Sequence, residues 1–111
     1  MERLSITIGI ITHNRAKMIK NCLNSIGEQT TKPDKIIIVD TSKKNDTEII
    51  IKSINLPIQY FHLKKRIRQP AARNIILKNT KTEIIAFLDD DTIVSKTWLE
   101  SVKDGFYKLV A

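Results

Sequence analysis

The sequence has one cysteine, Cys22, with only three glycines and three prolines among 111 residues, and aromatic residues make up 5%. A single thiol cannot close an internal disulfide, and so little Gly and Pro excludes collagen-like, linker-like and low-complexity chains. The scarcity of aromatics removes the interleaved stacking platform of a single-strand nucleic-acid binder, and no zinc-finger spacing occurs. Long apolar runs are missing as well. The stretch Ile84 to Leu88 falls far short of the ~20 residues that cross a bilayer. The start, Met1-Glu2-Arg3-Leu4, has no basic stretch leading into a signal-peptide core, and Thr7 and Gly9 interrupt the apolar run that follows. Secretion is not expected; a reducing compartment, the cytoplasm, is. Neither G-x-G-x-x-G nor a Walker pattern is present, which disfavours a hydride-transferring dehydrogenase and a P-loop NTPase.

What is present describes one compact domain over residues 1–111. Hydrophobic residues make up 41% and charged residues 28%, and a chain this long buries roughly two-thirds of the surface its unfolded form exposes. Nineteen Lys and Arg against twelve Asp and Glu give a net charge of +7. That balance favours polyanionic partners, whether nucleic acid, acidic lipid headgroups or phosphorylated small molecules. Lysines spread along a chain also read as a solvated surface.

Four segments are short, apolar and rich in β-branched or aromatic residues: Ser5 to Ile11, Lys35 to Val39, Ile58 to Leu63 and Glu83 to Leu88. They read as strands. Ile36 to Val39 and Ile84 to Leu88 are apolar on successive residues, as in strands covered by helices on both faces of a parallel sheet. Between them run helical patterns. From Ala16 to Gln29 the residues Met18, Ile19, Cys22, Leu23 and Ile26 form one stripe. Asp46 and Thr47 read as caps of a second helix ending at Ile54, and Pro70 suits the first turn of a third that runs to about Asn79. Ser95 reads as the cap of a last helix carrying Trp98, Leu99, Val102, Phe106 and Leu109. Cys22 and Trp98 read as core. The order β-α-β-α-β-α-β-α with short connections implies an α/β fold with an open parallel sheet flanked by helices, a Rossmann-like nucleotide-binding architecture.

In such sheets ligands bind beyond the carboxyl ends of the strands. Four segments occupy that edge: Thr12-His13-Asn14-Arg15, Asp40-Thr41-Ser42, Lys64 to Gln69, and Asp89-Asp90-Asp91. Adjacent carboxylates repel, and a hard divalent cation relieves this while leaving coordination sites for phosphates; otherwise Asp89 to Asp91 is a solvated acidic turn. Asp40 can accept hydrogen bonds from a ribose hydroxyl or a base N–H, or bond its own backbone. His13 can stack on a base, act as a general base, or be a surface turn residue. Lys64, Lys65, Arg66, Arg68 and Arg73 can hold a diphosphate, the arginines by bidentate contact, or form an exposed basic loop. Together these groups ask for a phosphorylated nucleotide and a divalent ion.

The succession Ile10-Ile11-Thr12-His13-Asn14-Arg15, Ile36-Ile37-Ile38-Val39-Asp40 with Ser42 and Asp46-Thr47, Ala72-Arg73-Asn74, and Ala86-Phe87-Leu88-Asp89-Asp90-Asp91 followed by Trp98-Leu99 resembles the N-terminal half of family 2 glycosyltransferases with the GT-A fold. The resemblance runs over nearly the whole chain. It implies transfer of a sugar, typically a hexose, from a nucleotide-diphospho-sugar donor to a sugar, lipid-linked or protein acceptor hydroxyl, with inversion and with Mn²⁺ or Mg²⁺. It places Thr12 and His13 at the nucleobase, Asp40 as the carboxylate that reads the base, and Asp89 to Asp91 as the Asp-any-Asp motif, with Asp90 toward the ribose and Asp91, with Asp89, at the cation. Arg73 and Arg66 would hold the nucleotide. His13 stands where many relatives carry tyrosine. The acceptor-binding half, with its general base, has no counterpart in this sequence, so the chain is expected to be inactive alone and to associate with that half. A non-catalytic nucleotide-binding or interaction fragment is the alternative. A nucleic-acid partner is not expected; peripheral association with the inner face of the membrane is compatible with the basic charge.

Overall fold

A computed structural model describes residues 4–110, with side chains as far as Phe106. Four strands, β1 (Ile6–Thr12), β2 (Lys35–Asp40), β3 (Ile58–His62) and β4 (Ile84–Asp89), alternate with four helices, α1 (Ala16–Gly27), α2 (Asp46–Ser53), α3 (Gln69–Asn79) and α4 (Trp98–Val110). All pairings are parallel and the strand order is β3-β2-β1-β4. This is the α/β architecture the pattern implies. Because the strands are parallel, their carboxyl ends share one rim.

The two faces of the sheet are covered unequally. One face carries Ile6, Ile8 and Ile10 of β1 with Ile36 and Ile38 of β2, and it packs against Ile19, Cys22, Leu23 and Ile26 of α1, Ile51 of α2 and Leu99 of α4. Each of these side chains is essentially removed from water, worth roughly 1.5–3 kcal/mol apiece for the larger aliphatics. The other face carries Ile37 and Val39 of β2 and meets only α3, through Ala72 and Ile76. Cover on both faces therefore holds for β2, which is buried from Ile36 to Asp40. It does not hold for β4. On this edge strand Ile85 packs against the α3 cluster, but Phe87 is left 39% exposed.

Helix starts depart from the caps read in the sequence. Asn45, not Asp46 or Thr47, is the residue preceding α2, and it makes no side-chain cap bond. Thr47 is buried, its hydroxyl 3.4 Å from that of Ser42. Helix α1 stops at Gly27, which frees Gln29 to staple α4. Its buried amide donates to the carbonyls of Ser25 (3.1 Å) and Ser95 (2.6 Å) and accepts from Leu99 N–H (3.0 Å). Gln29 thus satisfies a donor of the first turn of α4, for which Ser95 was the expected cap. Trp98 and Val102 pack on the core, whereas the side chain of Leu109 lies outside the described residues.

Cys22 lies in the core and donates weakly to the Asp89 carbonyl at 3.7 Å. Burial, followed by the negative charges of Asp90, Asp91 and Asp89, pushes its pKa from 9.0 up to about 12. Between those values the folded protein holds a proton that the unfolded chain has lost. Stability is therefore expected to be insensitive to this group below about pH 9 and to fall as pH rises toward about 12. Tyr60, also raised by burial and by its bond to Asp40, adds to the same decline from its own ordinary value upward. Urea unfolding at pH 8, 9.5 and 11 checks this: Cys22→Ala, whatever its overall stability, should show a shallower alkaline slope.

Candidate functional site

The rim of the sheet opens into a cleft of about 290 Å³. It is lined by Arg66, Gln69 and Arg73, by Asp89, Asp90 and Asp91, and by His13 and Thr41, so cations and carboxylates share one cleft. Lys64, Lys65 and Arg68, expected to share in holding phosphate, are exposed outside it.

The three aspartates do different things. Asp90, of the same parity as the inward Ala86 and Leu88, is buried; one oxygen accepts from the Thr12 hydroxyl at 2.8 Å and the other from Arg15 Nη1 at 3.2 Å. Asp89 and Asp91 are exposed, and Asp91 meets Arg15 only at 3.7 Å. The triplet is therefore not a single cage. Among the described residues no three His, Cys, Asp or Glu side chains converge on a point where they could hold a metal. The donors available, hard carboxylate oxygens in one cleft with guanidinium groups, fit a divalent ion shared with a bound phosphate. They do not fit an ion held by protein alone.

Asp40 does not line the cleft. It is wholly buried, Oδ1 accepting from Ser42 N–H (2.8 Å) and Oδ2 from the Tyr60 hydroxyl (2.6 Å). Strand parity turns Asp40 inward, onto β3, where both its oxygens are engaged within the protein. Thr12 is likewise spoken for, its hydroxyl given to Asp90 and its carbonyl to Thr41 N–H at 3.1 Å. Thr41, the residue after Asp40, lines the cleft as Thr12 does, but it too is buried and its hydroxyl is 2.9 Å from His13 Nδ1.

His13 sits in a network. Its Nδ1 is 3.0 Å from the Thr41 carbonyl, which can only accept, so Nδ1 carries the proton. Nε2 then accepts from the Asn14 amide at 3.1 Å. With both nitrogens engaged, His13 offers a ligand its ring face rather than a free base. Asn14 adopts a φ of 53°, a left-handed conformation that Asn tolerates. There its backbone N–H donates to Ser42 Oγ (2.8 Å) and its Oδ1 accepts from Lys43 N–H (3.0 Å). The first and second loops are thereby tied together.

Arg15 and Thr41 stand in segments the sequence places on the rim but have no role legible there, and Phe87 has no signature at all. Arg15 is adjacent to a motif but gains meaning only when β4 lies beside β1. Phe87 stands two residues before Asp89, hence on the same side of β4, and lines the cleft beneath Arg73.

Comparisons with known proteins agree with this fold. Glycosyltransferase SunS of Bacillus phage SPbeta is 36% identical over 92 residues, covering 83% of this chain and 21% of that protein. The O-antigen chain rhamnosyltransferase RfbN of Salmonella typhimurium is 28% identical over 106 residues, covering 94% of this chain and 33% of that one. Among solved structures, S. aureus TarS 1-349 in complex with UDP-GlcNAc superposes with a TM-score of 0.82 at 25% identity, over 95% of this chain and 32% of TarS. The mannosyltransferase PcManGT from Pyrobaculum calidifontis, in complex with GDP-Man and Mn²⁺, shares the fold with a TM-score of 0.81 at 23% identity, over 93% of this chain and 32% of that one. The chain thus spans a fifth to a third of the length of these relatives. Residues 7–109 match Glycosyl transferase family 2, and to that family this chain belongs.

Proposed function

We propose that the chain is the donor-binding part of an inverting glycosyltransferase that uses a nucleotide-diphospho-sugar and Mn²⁺ or Mg²⁺, and that it is inactive without an acceptor-binding half. The observation that carries this reading is that exposed Asp89 and Asp91 line the same cleft as Arg66 and Arg73. The guanidinium groups would hold a diphosphate there, and the carboxylates a divalent ion. Bound there, the ion supplies Lewis-acid stabilisation of the charge that develops on the departing nucleoside diphosphate.

The protein's own groups then divide the work. Arg66 and Arg73 hold the phosphates, and Asp91 with Asp89 holds the ion. His13 presents its ring face to the nucleobase, the ring being held at Nδ1 by Thr41. Asp90, by its bonds to Thr12 and Arg15, fixes the loop that carries its two neighbours. During transfer an acceptor hydroxyl attacks the anomeric carbon as the bond from that carbon to the diphosphate oxygen breaks; no described residue is assigned the proton. A sugar, protein or lipid-linked acceptor is compatible with the exposed Lys43, Lys44, Lys64 and Lys65 beside the cleft, which suit an anionic surface such as the inner face of the cytoplasmic membrane. No helix of the described residues is long and apolar enough to cross a membrane.

Titration calorimetry with UDP and with GDP, in Mn²⁺, Mg²⁺ or EDTA, tests the reading. At least one nucleotide should bind about tenfold more tightly with metal, a gain of about 1.4 kcal/mol. Equal or negligible binding in all buffers would refute it.

A further inference from the structure

We infer that Phe87 positions Arg73 for the diphosphate, its ring serving as a platform that holds the guanidinium over the cleft. The inference rests on the reading of Arg73 as a phosphate ligand and adds the residue through which it is held. Arg73 Cζ lies over the Phe87 ring, 5.4 Å from its centroid, within the range of a cation–π attraction. Among the described residues Arg73 has no ion pair or hydrogen bond that would otherwise fix it.

Three features converge on this pair. Phe87 is on an edge strand and on the face of the sheet that only α3 covers, so its ring is left 39% exposed. Gly9 is its register partner on β1. A Cβ there would come 3.1 Å from the ring and 2.9 Å from Ile76 Cγ2. Glycine inside a strand ordinarily weakens it; here it lets ring and α3 settle onto the sheet together. Gly9, Arg73 and Phe87 all line the cleft.

The geometry suits the task because a guanidinium has two separate binding surfaces. Its charge is attracted to the face of an aromatic ring, while its N–H donors lie in its own plane and point outward from the edges. A guanidinium held over a ring in this way keeps its fork for bidentate contact with phosphate oxygens. A long, solvent-exposed side chain already held in place loses less freedom on binding. Phe87 is thus a positioning residue, acting on the ligand through Arg73.

The test is a double-mutant cycle read by UDP titration in Mn²⁺, with thermal melts confirming that each variant is folded. Arg73→Gln should weaken binding. Phe87→Leu, which keeps apolar bulk and removes the ring, should weaken it by about fivefold, and Phe87→Met, a second ring-free side chain, should do the same. Phe87→Tyr should bind within about twofold of the unaltered protein, since the π face is restored. In the Arg73→Gln background, Phe87→Leu should have no further effect. Unaltered binding by both ring-free variants, with Arg73→Gln impaired, would overturn the platform and leave the diphosphate reading standing. A loss on Phe87→Leu that persists without Arg73 would assign the ring to packing and also overturn it. Unchanged binding by Arg73→Gln would overturn the phosphate role of Arg73 and this inference with it.

Discussion

Asp40→Ala is expected to destabilise the fold by about 2–5 kcal/mol, rather than to yield a folded chain that has lost a ligand contact. The carboxylate is fully buried and is the acceptor for both the Ser42 N–H and the Tyr60 hydroxyl. Removing it strands two donors in the interior, each costing about 1–3 kcal/mol. A domain's whole stability is only about 5–15 kcal/mol, so the loss takes a large share. Urea unfolding followed by circular dichroism gives the number. Asp40→Asn keeps the acceptor for Ser42 and lets the Tyr60 hydroxyl turn to accept instead, so it should be milder and should bind nucleotide nearly as well as the unaltered chain. An Asp40→Ala protein with near-normal stability and no nucleotide binding would instead point to a direct contact between Asp40 and the base.

Asp91→Asn is expected to do the opposite. Its side chain is 52% exposed and held only loosely by Arg15, so stability should change by no more than about 0.5 kcal/mol. The gain in nucleotide affinity from Mn²⁺, about tenfold in the unaltered chain, should vanish. Asp90→Asn should reverse this pattern, because that carboxylate is buried against Thr12 and Arg15: its first effect is lower stability. Calorimetry and thermal melts on the two variants separate the roles. Retention of the full metal effect by Asp91→Asn would remove Asp91 from the site.

These expectations differ because equivalent-looking acids end in different surroundings, and the sequence shows only part of that. The strands and helices were legible from their periods, and the shared rim followed from the parallel alternation. Ile36 to Val39 is apolar at every position, however, so its parity was hidden, and nothing marked Asp40 as inward and Thr41 as facing the cleft. Tyr60 could be recognised as the partner of Asp40 only once β3 was known to lie beside β2. Gln29 looked like the last residue of a helix until tertiary packing gave its amide a better use at α4. The arginines and aspartates of the cleft were visible because charge gathered just past the carboxyl ends of parallel strands falls where such sheets bind ligands. Phe87 was invisible for the converse reason: an apolar residue in an apolar strand attracts no notice.

The exposed Lys43, Lys44, Lys64 and Lys65 past the carboxyl ends of β2 and β3 also bear on how a ligand arrives. An anion is drawn toward them before it touches the protein. At physiological ionic strength that influence extends only about 8 Å. The pull thus acts only on the last approach, and added salt would slow capture without altering the shape of the seat.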